Sequence, residues 1–246
     1  MIDEPYRWLE AIGNRREYVR DQLKTGSPVF AVSSEEGILL LGVGQGHSKV
    51  FELFDRHALA GLGHPADIEK VRQAAIDSAH IEAFNRAPED VSLRRLIGFG
   101  LSPQLKTNFE QIFSAPFLVE LILAELGSDP SKDVIVRLHF DGAFESFTQG
   151  PVVAAIRPEA ERAAQAWLKT SLKDRRNRSD IVEMLLQAWW CLVEDKAMDD
   201  TIPGESERRD GWRKALNGRT VELGFLERSP TAANKYSALA FSDLNL

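Results

Sequence analysis

Few residues in this 246-residue chain have types and spacing that could do chemistry. The run Gly42-Val43-Gly44-Gln45-Gly46 mimics part of a phosphate-binding loop, which would cradle a nucleotide against a helix N-terminus. A strand pattern, Lys49 to Phe54, follows it instead, so no helix end waits for phosphate and nucleotide binding is set aside. His47, His57, His64, His80 and His139 lack a ligand spacing such as His-Glu-x-x-His, so no metal is expected. The one cysteine, Cys191, lies in an apolar helical pattern and reads as core rather than nucleophile. Lys49 opens a strand and on residue physics is a solvated strand-edge lysine. Asp55 and Arg56 adjoin at the strand end and read as a local ion pair, worth under about 1 kcal/mol at a surface. Nothing here implies a cofactor.

Bulk properties narrow the classes further. Apolar residues make up 43% of the chain, enough for a substantial core, and the net charge of −7 argues against a nucleic-acid partner, which needs a basic face. A single cysteine fits a reducing compartment. Asp3 and Glu4 rule against a secretory signal, and no apolar run approaches a membrane span. A cytoplasmic protein with no membrane partner is the expectation.

The elements that must position these residues follow from periodicity. Residues 4–24 read as a helix with Pro5 in its first turn and an imperfect stripe of Trp8, Ile12, Tyr18 and Leu23. Pro28–Ser34 and Gly37–Val43 read as a hairpin; Ile38–Val43 is unbroken apolar, as in a strand buried on both faces. Lys49–Phe54 alternates, with Val50, Glu52 and Phe54 on one face. His57–Leu62 is a strand of small residues against which something packs closely. Pro65–Ala87 is a helix with Ile68, Val71, Ala75 and Ala79 buried, and Val91–Phe113 a second. Pro103 and its neighbouring glycines sit inside that second helix, so a kink or bulge is expected near Ser102-Pro103.

Strands at 117–126, 134–140, 143–147 and 152–156 come next, with Asp141-Gly142 as a hairpin turn. Helices at 157–172 and 179–196 follow, the latter capped by Ser179 or Asp180. Trp189 and Trp190 point different ways on it, one to the core and the other to a partner. Asp199–Lys214 reads as a charged, mobile loop, Val221–Leu226 as a strand, and Tyr236–Leu246 as a last strand or turn. Two strand blocks, each followed by two helices, pack best as an α+β, four-layer αββα sandwich.

The stretch Lys49-Val-x-x-Leu-Phe-Asp55-Arg56, followed by a small-residue strand ending Gly61-Leu62-Gly63 and a long helix, resembles the 20S proteasome subunit family, where the pattern is Lys-Ile-x-x-Ile-Tyr-Asp-Arg. The helix ahead of the first strand and the wording Glu17-Tyr18-Val19-Arg20-Asp21-Gln22-Leu23-Lys24-Thr25-Gly26-Ser27 make it similar to bacterial α-type members. The match is specific from Glu17 to Gly127 and loose beyond. The resemblance implies the Ntn-hydrolase sandwich as one unit over 1–246, with 1–26 an interface or gate helix and 27–246 the sandwich.

It also implies no catalysis in this chain. Catalytic β members use an N-terminal threonine freed after glycine. No Gly-Thr dipeptide occurs here, Ser27 at the corresponding place precedes a stiffening Pro28, and no carboxylate stands near Gly42-Val43. The alternatives are a self-processing hydrolase using Ser27, or a ring-forming structural protein with no protease partner. By resemblance, Lys49 lies in a pocket between neighbouring subunits that receives an activator's C-terminal carboxylate. Ser114, Ala115, Pro116 and Phe117 line the entrance pore, and Tyr18, Asp55 and Arg56 serve subunit interfaces. The implied partners are copies of this chain in a seven-membered ring, proteasome β subunits, a hexameric ATPase or other ring activator, and unfolded protein substrates.

Overall fold

A computed structural model describes residues 5–173, 177–199, 201–229, 234–244 and 246. Among them, ten strands form two five-stranded antiparallel sheets, ordered β10-β9-β2-β1-β8 and β3-β4-β5-β6-β7. The first sheet uses β1 (Val29–Ser34), β2 (Gly37–Gly44), β8 (Pro151–Ala154), β9 (Thr220–Glu227) and β10 (Tyr236–Leu239); the second uses β3 (Val50–Phe54), β4 (His57–Gly63), β5 (Val119–Glu125), β6 (Val134–His139) and β7 (Phe144–Phe147).

Alternation along the strands decides the layering. On β1, Val29 and Ala31 face the second sheet while Phe30 and Val32 face outward; on β2, Ile38 and Leu40 face in and Leu39 and Leu41 out. Every residue of β2 is buried, as its unbroken apolar run requires. Outward, the first sheet packs on α5 (Pro158–Ser171) and α6 (Arg178–Val193) through Ala164, Leu168, Leu185 and Trp189. The second sheet packs on α2 (Pro65–Asn85) and on the helical run that follows. The αββα sandwich is therefore formed.

α2 buries Ile68, Val71, Ala75 and Ala79, the stripe its spacing dictates. The small residues of β4 let it approach: a Cβ on Gly61 would lie 3.0 Å from Ile68 Cγ2. The next helix is α3 (Leu93–Arg95), a π-helical segment over Leu96–Leu101, and α4 (Ser102–Glu110), run together. The Ser102 N–H donates to the Ile97 carbonyl, five residues back. One extra residue is absorbed there, and Pro103 falls at the first turn of α4, where no N–H is needed.

Several boundaries differ from expectation for identifiable reasons. β3 carries a bulge between Glu52 and Phe54, so Leu53 joins Val50 in the core and the simple alternation breaks. α6 is capped by Asn177, whose side chain accepts from the Asp180 N–H at 3.2 Å, not by Ser179 or Asp180. The charged stretch 199–214 is not all loop: α7 (Glu205–Ala215) buries Trp212 against α6; residue 200 of that stretch lies outside the described residues. After β10 the chain makes a 3-10 turn, Phe241–Leu244.

α1 (Pro5–Leu23) occupies most of the helix expected over 4–24; residue 4, with Asp3 and Glu4 as signal evidence, lies outside the described residues. Val19 and Leu23 are buried while Trp8, Leu9 and Tyr18 are exposed. Arg15 donates to the Asn108 carbonyl at 3.2 Å, and Arg16 pairs with Asp141 at 3.2 Å. These contacts fasten α1 across the end of α4 and the β6–β7 turn.

Candidate functional site

A cleft of about 1090 Å³ opens where α1 ends, β2 ends and the β8–α5 corner meets the end of α6. Lys49 lies on its wall. The side chain runs over two glycines of β2: a Cβ on Gly42 would lie 2.9 Å from Lys49 Cβ, and one on Gly44 would lie 3.4 Å from both Lys49 Cδ and Cε. The glycine spacing that mimics a nucleotide loop thus forms a trough for a lysine. Glu222, opposite Gly42 in the β2–β9 register, accepts from the Lys49 N–H at 2.8 Å and the Val50 N–H at 3.2 Å. Burial lowers the pKa of the Lys49 ammonium, and the nearby Glu222 charge opposes that shift. No carboxylate stands within 4.0 Å of the ammonium among the described residues.

Ser27 shares the cleft. The Gly26 N–H donates to the Leu23 carbonyl at 2.7 Å, closing α1 onto the strand that follows. A Cβ on Gly26 would stand 2.8 Å from Leu62 Cδ2, so this linker is seated against the core. The Ser27 hydroxyl accepts from the Trp189 indole N–H at 2.8 Å. The cleft thus holds the partly buried Lys49 ammonium together with a Ser27 hydroxyl engaged by Trp189.

A second, polar cavity of about 320 Å³ adjoins the first and shares Arg20, Ala155, Ile156, Pro158 and Arg162 with it. Glu120 and His139 face each other in the β5–β6 register, with His139 Nδ1 at 2.7 Å from Glu120 Oε2. Arg137 pairs with both Glu161 and Glu145 and donates to the Val153 carbonyl at 3.0 Å. Glu161 also accepts from the Ala155 N–H at 2.9 Å, which fastens the β8–α5 corner. Burial pushes the Glu161 carboxyl up to about 7, and pushes Glu120 upward against the pull of His139. Burial works to lower His139, but its hydrogen bond to Glu120 prevails and raises it.

The other residues singled out from sequence are dispersed. Arg56 pairs with Glu125 at 3.0 Å rather than with Asp55, and also donates to the Val91 carbonyl at 3.0 Å. Tyr18 stands half-exposed on the outer side of α1. Ser114, Ala115, Pro116 and Phe117 form the connection from α4 to β5, held at Phe117, whose N–H donates to Asn108 Oδ1 at 3.0 Å. Phe113, just before them, is fully exposed and was not foreseen; its place between a helical pattern and a loop disguised it. Glu222 was missed as well, because it comes from a strand remote in sequence. Trp189 and Trp190 are both buried, Trp190 under α7. Burial pushes the Cys191 thiol up to about 11, which makes it unreactive. No group of three or more metal-ligating side chains, and no helix long and apolar enough to cross a membrane, occurs among the described residues.

No family model matches the chain. It is, however, similar to proteins named proteasome subunit alpha. The one from Actinosynnema mirum is 30% identical over 221 residues, covering 89% of this chain and 77% of that relative. The one from Streptosporangium roseum is 31% identical over 187 residues, covering 74% and 67%. The one from Arthrobacter sp. (strain FB24) is 33% identical over 135 residues, covering 53% and 55%, so the match spans about half that relative's length. By these relationships, on an αββα sandwich preceded by a docked helix, the chain belongs to the proteasome α-subunit family.

Proposed function

We propose that this chain is a non-catalytic ring subunit of a proteasome core particle, assembling with copies of itself and with β subunits that perform the hydrolysis. The observation that carries this reading is the closed segment ahead of Ser27. α1 is fastened to the sandwich, Gly26 is seated on Leu62, and Ser27 is held by Trp189, contacts that support a chain keeping the segment ahead of Ser27. What the cleft offers instead is Lys49, a desolvated point charge suited to a carboxylate.

In this reading Lys49 receives the C-terminal carboxylate of a ring activator, such as a hexameric ATPase. Ser114, Ala115, Pro116 and Phe117, with exposed Phe113, border the entrance through which unfolded chains pass. Tyr18 and Asp55 face neighbouring subunits, and Arg56 braces the Asp55 turn from inside through Glu125. Exposed Ile81, Phe84 and Phe99 on α2 and the π-helical segment give further apolar area for assembly.

The test is Lys49→Ala in a particle co-assembled with β subunits. Rings and basal hydrolysis of short peptides are expected to persist, while stimulation by the activator is lost. Full stimulation of the variant would refute the docking role.

A further inference from the structure

The cleft beside Lys49 is more basic than a single terminal carboxylate requires. The chain as a whole carries a net charge of −7. Yet Arg20 from α1, Lys49 from the residue just before β3, Arg162 from α5 and Arg219 from the turn before β9 all line this one cleft. Two more lining cations are already neutralised: Lys24 pairs with Asp21 at 2.6 Å, and Arg157 pairs with Asp195. Arg20, Lys49, Arg162 and Arg219 have no carboxylate within ion-pair distance among the described residues. The guanidinium of Arg219 instead lies 5.2 Å from the centre of the Trp189 ring, and Arg162 Nε donates to the Pro158 carbonyl at 3.1 Å. Of the acidic residues on the lining, Asp195 is taken by Arg157, which leaves Glu159.

Four cations brought together from four separate elements repel one another while the cleft is empty. An anionic occupant relieves that repulsion, and a concave, partly desolvated wall focuses the potential on it. Arg20 and Arg162 are exposed, whereas Lys49 is partly buried. Exposed planar guanidinium groups suit carboxylate side chains, and a partly buried ammonium suits a chain-terminal carboxylate. Val43, Ile156 and Leu192 add apolar lining to the same cleft.

We propose that the occupant of this cleft is an acidic peptide tail: a terminal carboxylate on Lys49, with at least one Asp or Glu upstream of it on Arg20 and Arg162. This rests on the docking reading above and specifies the partner's chemistry. It makes association salt-sensitive, because Arg20 and Arg162 are solvent-exposed.

The test is isothermal titration of the chain co-assembled into rings with β subunits, using four synthetic hexapeptides. One ends in an apolar residue with a free carboxylate and carries two glutamates upstream; the second replaces both glutamates with glutamine. The other two are their C-terminal amides. The acidic free peptide is expected to bind at least about 10-fold tighter than its glutamine counterpart and to lose that advantage between low and high salt. Arg20→Gln with Arg162→Gln should remove the advantage and leave the glutamine peptide unaffected. Equal binding of the two free peptides overturns the acidic preference while leaving Lys49 docking intact. Equal binding of free and amidated acidic peptides overturns Lys49 docking itself, and absence of binding by all four overturns both.

Discussion

The Lys49 side chain occupies room that Gly42 leaves empty: a Cβ at Gly42 would stand 2.9 Å from Lys49 Cβ and 3.5 Å from Val29 Cγ1. Gly42→Val therefore forces Lys49 out of its trough, in a buried strand with no slack. The expected outcome is a loss of activator stimulation comparable to Lys49→Ala, with a stability cost of about 1–3 kcal/mol from overpacking. Denaturant unfolding and stimulated peptidase assays, run together, check it. Retained stimulation would mean that the lysine does not need this path.

Gly142 is required by two facts at once. Its φ is +82°, and a Cβ there would lie 2.4 Å from the Ser102 carbonyl oxygen and 2.9 Å from the Lys106 nitrogen. The same turn accepts the Ser102 hydroxyl at 2.7 Å, locking the β6–β7 hairpin to the start of α4. Gly142→Ala should cost about 3 kcal/mol through backbone strain and clash together. A shift in the urea midpoint measures it; an unchanged midpoint would contradict this packing.

The polar cavity under α1 makes stability depend on pH with a definite sign. Burial pushes the Glu161 carboxyl up to about 7 in the folded chain, above its ordinary value of 4.5, so between those values the folded state binds more protons. Stability from this group is complete below about pH 4.5 and is lost as pH rises through about 7. Glu120 and His139 are also raised and act in the same direction. Arg137, Glu145, Asp141, Arg16, Arg20 and Arg162 complete the charge set around them. The Glu161 share is at most on the order of 3 kcal/mol. Unfolding free energy measured from pH 5 to 8 should fall for the wild type, and fall less for Glu161→Gln. Parallel slopes in the two proteins would refute the assignment.

α7 is a built part of the outer layer. Arg208 Nε donates to Gln187 Oε1 at 2.8 Å, Arg209 pairs with Glu183 at 2.7 Å, and a Cβ on Gly211 would stand 2.3 Å from Trp190 Cε2. Gly211→Val should detach α7 and expose Trp190 to solvent. A red-shifted tryptophan emission would report this, and an unshifted spectrum would contradict it.

What the sequence disclosed, and what it hid, follows from range. The buried stripe of α2, the Asp141-Gly142 turn and the irregularity before Pro103 are local patterns, and each is present as read. Glu222 reaches Lys49 across a separation of 173 residues, so no window along the chain contains both. The Gly42 and Gly44 spacing was visible, but its use depends on where Lys49 returns after the β2–β3 loop. α7 was hidden because most of its residues are charged, with Trp212 its lone buried anchor. The polar cavity is assembled from β5, β6, β7 and α5, elements that meet only once both sheets are stacked.

The most direct test of the central claim is native and denaturing mass measurement of the chain, alone and co-expressed with a proteasome β subunit, with peptidase activity followed in parallel. The account predicts an unshortened chain that enters large ring assemblies and shows peptidase activity only when the β subunit is present. A chain cut to begin at Ser27, active without any partner, would contradict it.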